Sequence, residues 1–345
     1  MHRFYKKNII PKKLKIKKKL NIALVGSGKI AEEYARVIKS FDHNISTIVS
    51  SNNINRKKLI KKYNIKDINI SFEDTIKSSK NIDAWIICTS WNKLKKYFKL
   101  AIKYKLNFLI EKSIIITSKE LLAINKTIQK KDKKRFLISY NRNYYDYIPS
   151  LISLLKNHSI DQITANMADP FDKILKNKNR NLKNHLITFM TSHWISLILK
   201  ILKITKNKII FKNYDKFSQK DIFKSKTFIF KVRNRNRNVP LLLNLLPNNF
   251  SNTNINFYCK KLYISLSPVE KIQIHSDLKK IKKKNQNLYM PVSHPFYVEN
   301  IYKPGFRSMY FDFIQSCVLG KNKSILGTSL DDLIETYKIC EILKK

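Results

Sequence analysis

The feature that most constrains this chain is a pair of glycines, Gly26 and Gly28, set between an apolar run and an amphipathic one. The chain has only 5 glycines in 345 residues, so two at this spacing mark where the backbone turns tightly. Before them, Leu20-Asn21-Ile22-Ala23-Leu24-Val25 is an apolar run of strand length. After them, Ile30, Tyr34, Val37, Ile38 and Phe41 recur at helical spacing. Strand, turn and helix in this order are the context in which Gly26-Ser27-Gly28-Lys29-Ile30-Ala31 reads as a phosphate loop. Gly26 makes the turn, Gly28 lets a pyrophosphate approach the backbone, and small Ala31 lets helix and strand pack closely. The anion then rests on the open amides of the helix N-terminus. The competing reading is a plain strand-to-helix turn.

Further short apolar runs predict strands at Ile45–Val49, Asn69–Phe72, Ala84–Cys88, Asn107–Ile110 and Arg135–Tyr140. Helical stretches separate them at Arg56–Tyr63, Asp74–Ser79, Lys93–Tyr104 and Ser118–Gln129. The run Ala84-Trp85-Ile86-Ile87-Cys88 is almost continuously apolar, as expected of a strand buried on both faces of a parallel sheet. This alternation predicts an α/β Rossmann domain, a doubly wound parallel sheet, over residues 20–140.

The pattern then changes. After a helix at Tyr147–Leu155, strands are predicted at Gln162–Ala168, Ile209–Tyr214, Thr227–Val232, Val239–Leu246, Asn254–Cys259, Leu262–Leu266 and Lys271–His275. One apolar helix, Leu186–Leu202, interrupts them, and helices at Ser308–Val318 and Leu330–Leu343 close the chain. Residues 141–345 are therefore expected to form an α+β domain with a largely antiparallel sheet, covering the substrate and mediating homo-oligomerisation. Two domains suit the length, because single cores stop growing near roughly 250–300 residues.

A formal net charge of +45 invites a nucleic-acid or membrane reading. The excess is mostly Lys, runs the whole length, and accompanies abundant Asn and Ile, as an AT-biased coding sequence gives. No nucleic-acid module accompanies it, so weak sticking to RNA is expected but no specific nucleic-acid partner. Cys88, Cys259, Cys317 and Cys340 form no C-x-x-C pair and have no His at metal spacing, so they read as reduced core thiols and no metal site is expected. Residues 1–19 are basic without an apolar core, which reads as a flexible leader and not a signal. The apolar stretch Leu186–Leu199 is shorter than the roughly 20 residues a membrane span needs. The expected location is the cytoplasm.

An NAD-binding domain of this type places an acidic residue about 20 residues beyond the loop, on the ribose hydroxyls. Here that position holds Ser50, Ser51 and Asn52, with Arg56 and Lys57 close by. Hydroxyls and cations suit the 2′-phosphate of NADP, and a plain polar loop fits equally, so the expected cofactor is NAD or NADP.

Taken together, the phosphate loop, Asp83-Ala84-Trp85-Ile86-Ile87-Cys88-Thr89-Ser90, Glu111-Lys112-Ser113, Tyr140-Asn141-Arg142, and Gly320-Lys321 followed by Ser329-Leu330-Asp331-Asp332 resemble the Gfo/Idh/MocA oxidoreductases, the family of glucose-fructose oxidoreductase and inositol dehydrogenase. The resemblance runs from Asn21 onward. It implies that Lys112 contacts a substrate hydroxyl beside the nicotinamide and helps set its proton. Such a lysine, partly buried near other cations, exchanges protons readily. It implies that His193 stands near the reacting carbon, where a neutral imidazole gives or takes a proton. A packed core histidine is the competing reading for His193. Gly26, Ser27, Gly28, Lys29, Ile30, Ser51, Arg56, Thr89, Ser90 and Glu111 are the expected cofactor contacts. Arg142, Tyr144 and His185 are the expected substrate contacts, with Asn184 a further polar group.

The chain departs from the family at four places. Ser113 replaces a proline, Phe189 and Ser196 replace frequent acids around His193, and Leu94 replaces a histidine. The expected function is an NAD(P)-dependent oxidoreductase acting on a hydroxyl or carbonyl of a sugar or nucleotide-sugar by hydride transfer. The alternative is a catalytically degenerate relative that binds cofactor or sugar.

Overall fold

The computed structural model describes residues 15–345 except 66, 70, 79, 80, 179, 219–222, 235, 236, 250, 284, 285, 299 and 300. Residues 1–14 of the expected leader lie outside the described residues. The chain divides into two compact units. One comprises the described residues of Pro11–Tyr144 and Asn300–Lys338, the other those of Tyr145–Glu299 and Ile339–Lys345.

The first unit holds strands β1 (Asn21–Val25), β2 (Asn44–Val49), β3 (Asp67–Asn69), β4 (Ala84–Ile87), β5 (Phe108–Glu111) and β6 (Phe136–Ser139). They form a six-stranded sheet in the order β3-β2-β1-β4-β5-β6, with every neighbouring pair parallel. Helices α1 (Lys29–Ser40), α2 (Asn53–Tyr63), α3 (Phe72–Ser78), α4 (Trp91–Lys103) and α5 (Ser118–Thr127) make the crossovers. Every residue of β4 is buried, which is why its sequence shows no polar alternation. Tyr34, Val37 and Ile38 of α1 belong to one core cluster, and Leu94 and Phe98 of α4 to another. The expected strand at Asn69–Phe72 is not a single element: β3 ends at Asn69, and Phe72 opens α3 as one of its buried residues.

Residues 300–338 belong to this unit and not to the second, where the sequence reading had placed them. Helix α9 (Phe306–Phe313) contributes Phe306, Met309, Tyr310 and Phe313 to the cluster around α1. The Phe306 and Tyr34 rings lie 4.8 Å apart. Helix α10 (Leu330–Lys344) adds Leu330, Leu333, Ile334 and Tyr337 to the cluster around α4 and α5. The Tyr337 hydroxyl donates to the carbonyl of Ile114 at 2.8 Å. Between the two helices, Ile138 of β6 donates its N–H to the Thr328 carbonyl at 3.0 Å.

His43 is 1% exposed, and its Nδ1 lies 2.6 Å from the Tyr310 hydroxyl. Burial holds its pKa below the ordinary histidine value. The unfolded chain therefore binds a proton over a pH range in which the folded protein does not, so stability is full above about pH 6.5 and falls as pH drops toward the folded pKa. The expected result is a melting temperature that declines on acidification below that point, with a shallower decline in His43→Gln. Melting curves at several pH values check it. Some slope remains in the variant, because burial also lowers the pKa values of His185 and His275.

The second unit holds an eight-stranded sheet built from β7 (Ile160–Met167), β8 (Lys208–Ser218), β9 (Lys226–Asn234), β10 (Arg237–Leu245), β11 (Asn254–Cys259), β12 (Leu262–Leu266), β13 (Lys271–Lys283) and β14 (Gln286–Tyr297). The order is β14-β13-β12-β11-β7-β10-β9-β8, with β7 and β10 parallel and the other pairs antiparallel. Strand β14 was not among the expected strands, and its run carries Pro291 and Pro295. It lies at the sheet edge, where a missing N–H donor is tolerated. Helices α6 (Ile148–Asn157), α7 (Phe171–Lys178) and α8 (Ser192–Ile204) complete the unit with the end of α10. The stretch Ile187–Ile204 is long and apolar enough to cross a membrane, with 18 residues at mean hydropathy 1.3, but 78% of it is buried within the protein. It is a core helix.

The four cysteines are free thiols, with Cys88 and Cys340 buried and Cys259 and Cys317 half-buried. Burial pushes the Cys259 thiol to about 11 and those of Cys317 and Cys340 to about 12.

Candidate active site

The expected cofactor residues lie at the carboxyl ends of β1, β2, β4 and β5, four adjacent strands. Strand order reverses between β1 and β4, and an open α/β sheet leaves a crevice at such a switch point. The loop after β1 is pinned from both sides. Gly26 donates its N–H to the Val49 carbonyl at 2.9 Å, and Cys88 donates to the Val25 carbonyl at 2.8 Å.

Gly26 has φ +125°, and a Cβ there would stand 2.5 Å from the Cys88 carbonyl oxygen. Only glycine fits that turn. Gly28 differs: its φ of −81° and ψ of −177° suit any residue, and a Cβ would meet nothing within 4 Å. The chain's own packing gives no reason for a glycine at that position, whereas an approaching phosphate does. Gly28 is also the N-cap of α1 and supplies no side-chain cap, so the first amides of the helix face outward without an intrahelical acceptor. Gly28 and Lys29 are exposed and Ile30 half-buried around that opening. These features fit a dinucleotide diphosphate held by Gly26, Ser27, Gly28, Lys29 and Ile30.

Ser27 is nearly buried, and its hydroxyl lies 2.7 Å from that of Ser50, tying the loop to the end of β2. Arg56 of α2 donates from Nη1 to the Ser50 carbonyl at 2.6 Å and from Nη2 to Asn53 Oδ1 at 3.2 Å. Lys93 of α4 donates to the Ser51 hydroxyl at 3.3 Å. Thr89 is half-buried after β4, and Ser90 is the exposed N-cap of α4, bonded to Asn92 Oδ1 at 2.7 Å.

Glu111 ends β5. Its Oε1 accepts from the Tyr34 hydroxyl at 2.8 Å and from Ser139 Oγ at 2.6 Å. Burial and the neighbouring Glu111 charge raise the pKa of Tyr34 well above the ordinary tyrosine value, so the phenol stays a donor. Burial first, and Glu111 second, raise that of Cys88. Lys112 follows, half-buried at the same sheet edge. Where the resemblance leads to a proline, the Lys112–Ser113 peptide bond is cis and Ser113 is fully buried.

Arg142 is half-buried on the 3-10 turn Asn141–Tyr144 after β6. Tyr144 is 4% exposed and donates to Asp312 Oδ2 at 2.6 Å, so its hydroxyl is committed to holding α9. His193 and His185 belong to the second unit. His193 is the second residue of α8, directly after the π-helical turn Ile187–Thr191, and His185 ends the 3-10 turn Arg180–His185. Asn184 is exposed on the same turn. Phe189, Ser196 and Leu94, the departures from the family pattern, are all buried.

Two residues that the sequence reading did not single out matter to these placements. Lys93 is one. The other is Asp169, 2% exposed beyond β7, which accepts from Thr191 Oγ1 at 2.6 Å and from Trp194 Nε1 at 3.0 Å. Those donors bracket His193, so Asp169 fixes the start of its helix. An Asp-Pro after a strand reads locally only as a turn signal. Asp169→Ala leaves both donors buried without this acceptor, at about 1–3 kcal/mol for an unsatisfied group. The expected loss is roughly 2–4 kcal/mol in denaturant unfolding, and a smaller one in Asp169→Asn, which keeps one carbonyl acceptor.

Comparison with known proteins follows the same lines. The three-dimensional fold is similar to UDP-N-acetylglucosamine 3-dehydrogenase GnnA from Acidithiobacillus ferrooxidans, with a TM-score of 0.69, 11% identity, and coverage of 95% of this chain and 97% of that one. It is similar to myo-inositol 2-dehydrogenase from Lactobacillus plantarum, with a TM-score of 0.69, 15% identity, and coverage of 95% and 96%. A dehydrogenase from Chromobacterium violaceum gives a TM-score of 0.72 at 12% identity, covering 94% of each chain. Comparison of the sequence with curated proteins gives no match. Residues 20–139 match the family model described as Gfo/Idh/MocA oxidoreductases with an NAD-binding Rossmann fold. Through residues 20–139, the chain is similar to the NAD-binding domain of the Gfo/Idh/MocA oxidoreductases.

Proposed function

We propose that this chain is an NAD(P)-dependent oxidoreductase that acts on a hydroxyl or carbonyl of a sugar or nucleotide-sugar. The observation that carries the reading is the open, uncapped start of α1 at Gly28, beside the switch point of the parallel sheet. The names of structural neighbours, an inositol dehydrogenase and a UDP-N-acetylglucosamine dehydrogenase, supply the substrate class. When bound, the nicotinamide supplies the hydride acceptor or donor. Lys112, at the sheet edge, holds or moves the proton of the substrate hydroxyl at its Nζ. The imidazole of His193 is the second proton carrier, and Asp169 fixes the helix that bears it. Glu111, held by Tyr34 and Ser139, fixes the segment from which Lys112 projects. The homo-oligomer expected from the sequence is part of the same reading, checked by sedimentation equilibrium.

The test has two stages. Calorimetry with each nicotinamide dinucleotide measures binding, and the ultraviolet absorbance of the reduced nicotinamide then follows turnover over a panel of polyols, sugars and UDP-sugars. Lys112→Ala is expected to abolish turnover while cofactor binding stays within about threefold, because its role is in proton transfer. Loss of cofactor binding in that variant overturns the assignment. The burial of Phe189, Ser196 and Leu94, in place of polar partners, favours a second reading: a relative that binds cofactor without turnover. Binding with no absorbance change across the panel establishes that reading instead.

A further inference from the structure

The two faces of the eight-stranded sheet differ in character. On one, Ile163, Phe228, Leu243 and Phe257 of neighbouring strands are fully buried in the core. The alternate residues point the other way and are mostly half-buried or exposed. There Thr227 Oγ1 donates to Asn244 Oδ1 at 2.8 Å, Asn244 Nδ2 to Asn166 Oδ1 at 2.7 Å, and Asn166 Nδ2 to Asn254 Oδ1 at 3.1 Å. Asn256 donates to the same Asn254 oxygen at 3.2 Å and accepts from the Tyr263 hydroxyl at 3.1 Å. A row of linked amides thus crosses β9, β10, β7, β11 and β12. In a chain of which 27% of residues are charged, residues 162–166, 240–244, 254–258 and 263–265 of these strands carry no charge. Large rings stand on the same face nearer its margins: Phe217, in register with Thr227, is 65% exposed, Tyr258 is 39% exposed, and Tyr297, in register with Lys271, is 68% exposed.

We infer that this face is where two copies of the chain meet. The inference deepens the homo-oligomer of the proposed function, on which it rests, by assigning its interface. Charge decides the partner. Two copies that each carry a net charge of +45 repel wherever lysines face each other, so they approach closely only through a surface free of charge. An acidic partner would need cations on this face, and its centre has none. Amides both donate and accept, so a row of them is self-complementary, as a twofold contact between identical surfaces requires. The bonds within the row fix each amide before association, so little side-chain entropy is lost on docking. A centre depleted of charge, with aromatic rings among the contacts, is also the composition of a subunit interface. The area suffices: eight strands at roughly 4.8 Å and three residue rows at roughly 6.8 Å give on the order of 700–800 Å² on each copy, the size of a stable interface.

Sedimentation equilibrium of the full chain over about 0.1–100 μM, joined to hydroxyl-radical footprinting of its tyrosines, tests the interface. The parent is expected to associate. Leu242→Arg and Asn166→Asp place like charges at the centre of both copies, and each is expected to weaken association by roughly a hundredfold or more. Ile325→Arg charges an exposed residue of the first unit and leaves association within about twofold. The footprint needs no variant. In a lone chain Tyr297 is 68% exposed and Tyr104 38%, so slower oxidation of Tyr297 than of Tyr104 marks the face as covered. If neither charged variant folds, that comparison decides. A parent that stays monomeric throughout overturns the interface together with the homo-oligomer, and leaves dinucleotide binding and turnover to judge the oxidoreductase. An oligomer indifferent to both central charges, with Tyr297 oxidised faster than Tyr104, overturns this face alone. Protection of Tyr297 in a monomeric chain by an added polysaccharide or acidic peptide gives the face to another ligand and overturns the inference likewise.

Discussion

Gly28→Asp is expected to fold at least as stably as the parent chain and to weaken dinucleotide binding by roughly a hundredfold or more. The opposite signs follow from one position. Gly28 sits in extended backbone at the N-cap of α1, with open space where a Cβ would go. Aspartate is among the preferred N-cap residues, gains a few tenths of a kcal/mol over glycine, and its charge suits the positive end of the helix dipole. The same carboxylate occupies the hollow that a diphosphate would enter and repels it, which costs about 3 kcal/mol or more of binding. Gly26→Ala is expected to behave the other way. Its φ of +125° and the 2.5 Å approach to the Cys88 carbonyl mean that an added methyl displaces the end of β4. Such backbone strain costs roughly 2–4 kcal/mol of stability whether or not a ligand is present. Melting curves and calorimetry on the two variants separate fold from function. A Gly28→Asp protein that binds dinucleotide as tightly as the parent removes the phosphate-loop reading.

The parts of the molecule legible in the sequence are those whose cause is local. Gly26 announces its turn because no other residue tolerates that φ, and Ala84–Ile87 announces a central strand because both of its faces are buried. Misreadings occur where distant packing decides. Phe72 looks like the end of a strand, but its ring is spent on Trp85 and Tyr97, with centroids 5.4 and 4.6 Å away, from the first turn of a helix. Strand β14 carries two prolines that argue against a sheet until its edge position is known. At the site, the loop could be found from spacing, whereas Lys93 is one of 69 Lys and Arg residues and is distinguished only by its contact with Ser51, which the fold creates. Asp169 acquires meaning only once Trp194 and Thr191 are brought against it.

A chain ended at residue 144, just past the boundary that the sequence suggests for the nucleotide-binding domain, is expected not to fold. Phe306, Met309, Tyr310 and Phe313 complete one core cluster of that unit, and Leu330, Leu333, Ile334 and Tyr337 complete the other. Burying side chains of this size contributes about 1.5–3 kcal/mol each, so removing eight of them forfeits more than the roughly 5–15 kcal/mol by which a domain is stable. The loss also uncovers Tyr34 and Phe41, whose rings pack at a tilt against Phe306 and Tyr310 with centroids 4.8 and 5.6 Å apart, and leaves buried His43 without its tyrosine partner. Local helix and strand propensity is untouched by the truncation, so the expected product has residual secondary structure, no cooperative thermal transition and an exposed apolar surface that binds hydrophobic dyes. Joining Pro304–Lys338 to residue 144 through a flexible linker restores both clusters and is expected to restore a cooperative transition, because the segment belongs to the same compact unit. Circular dichroism melts of the two fragments decide the matter: a cooperative transition in the shorter one means that the C-terminal return merely decorates a self-sufficient sheet.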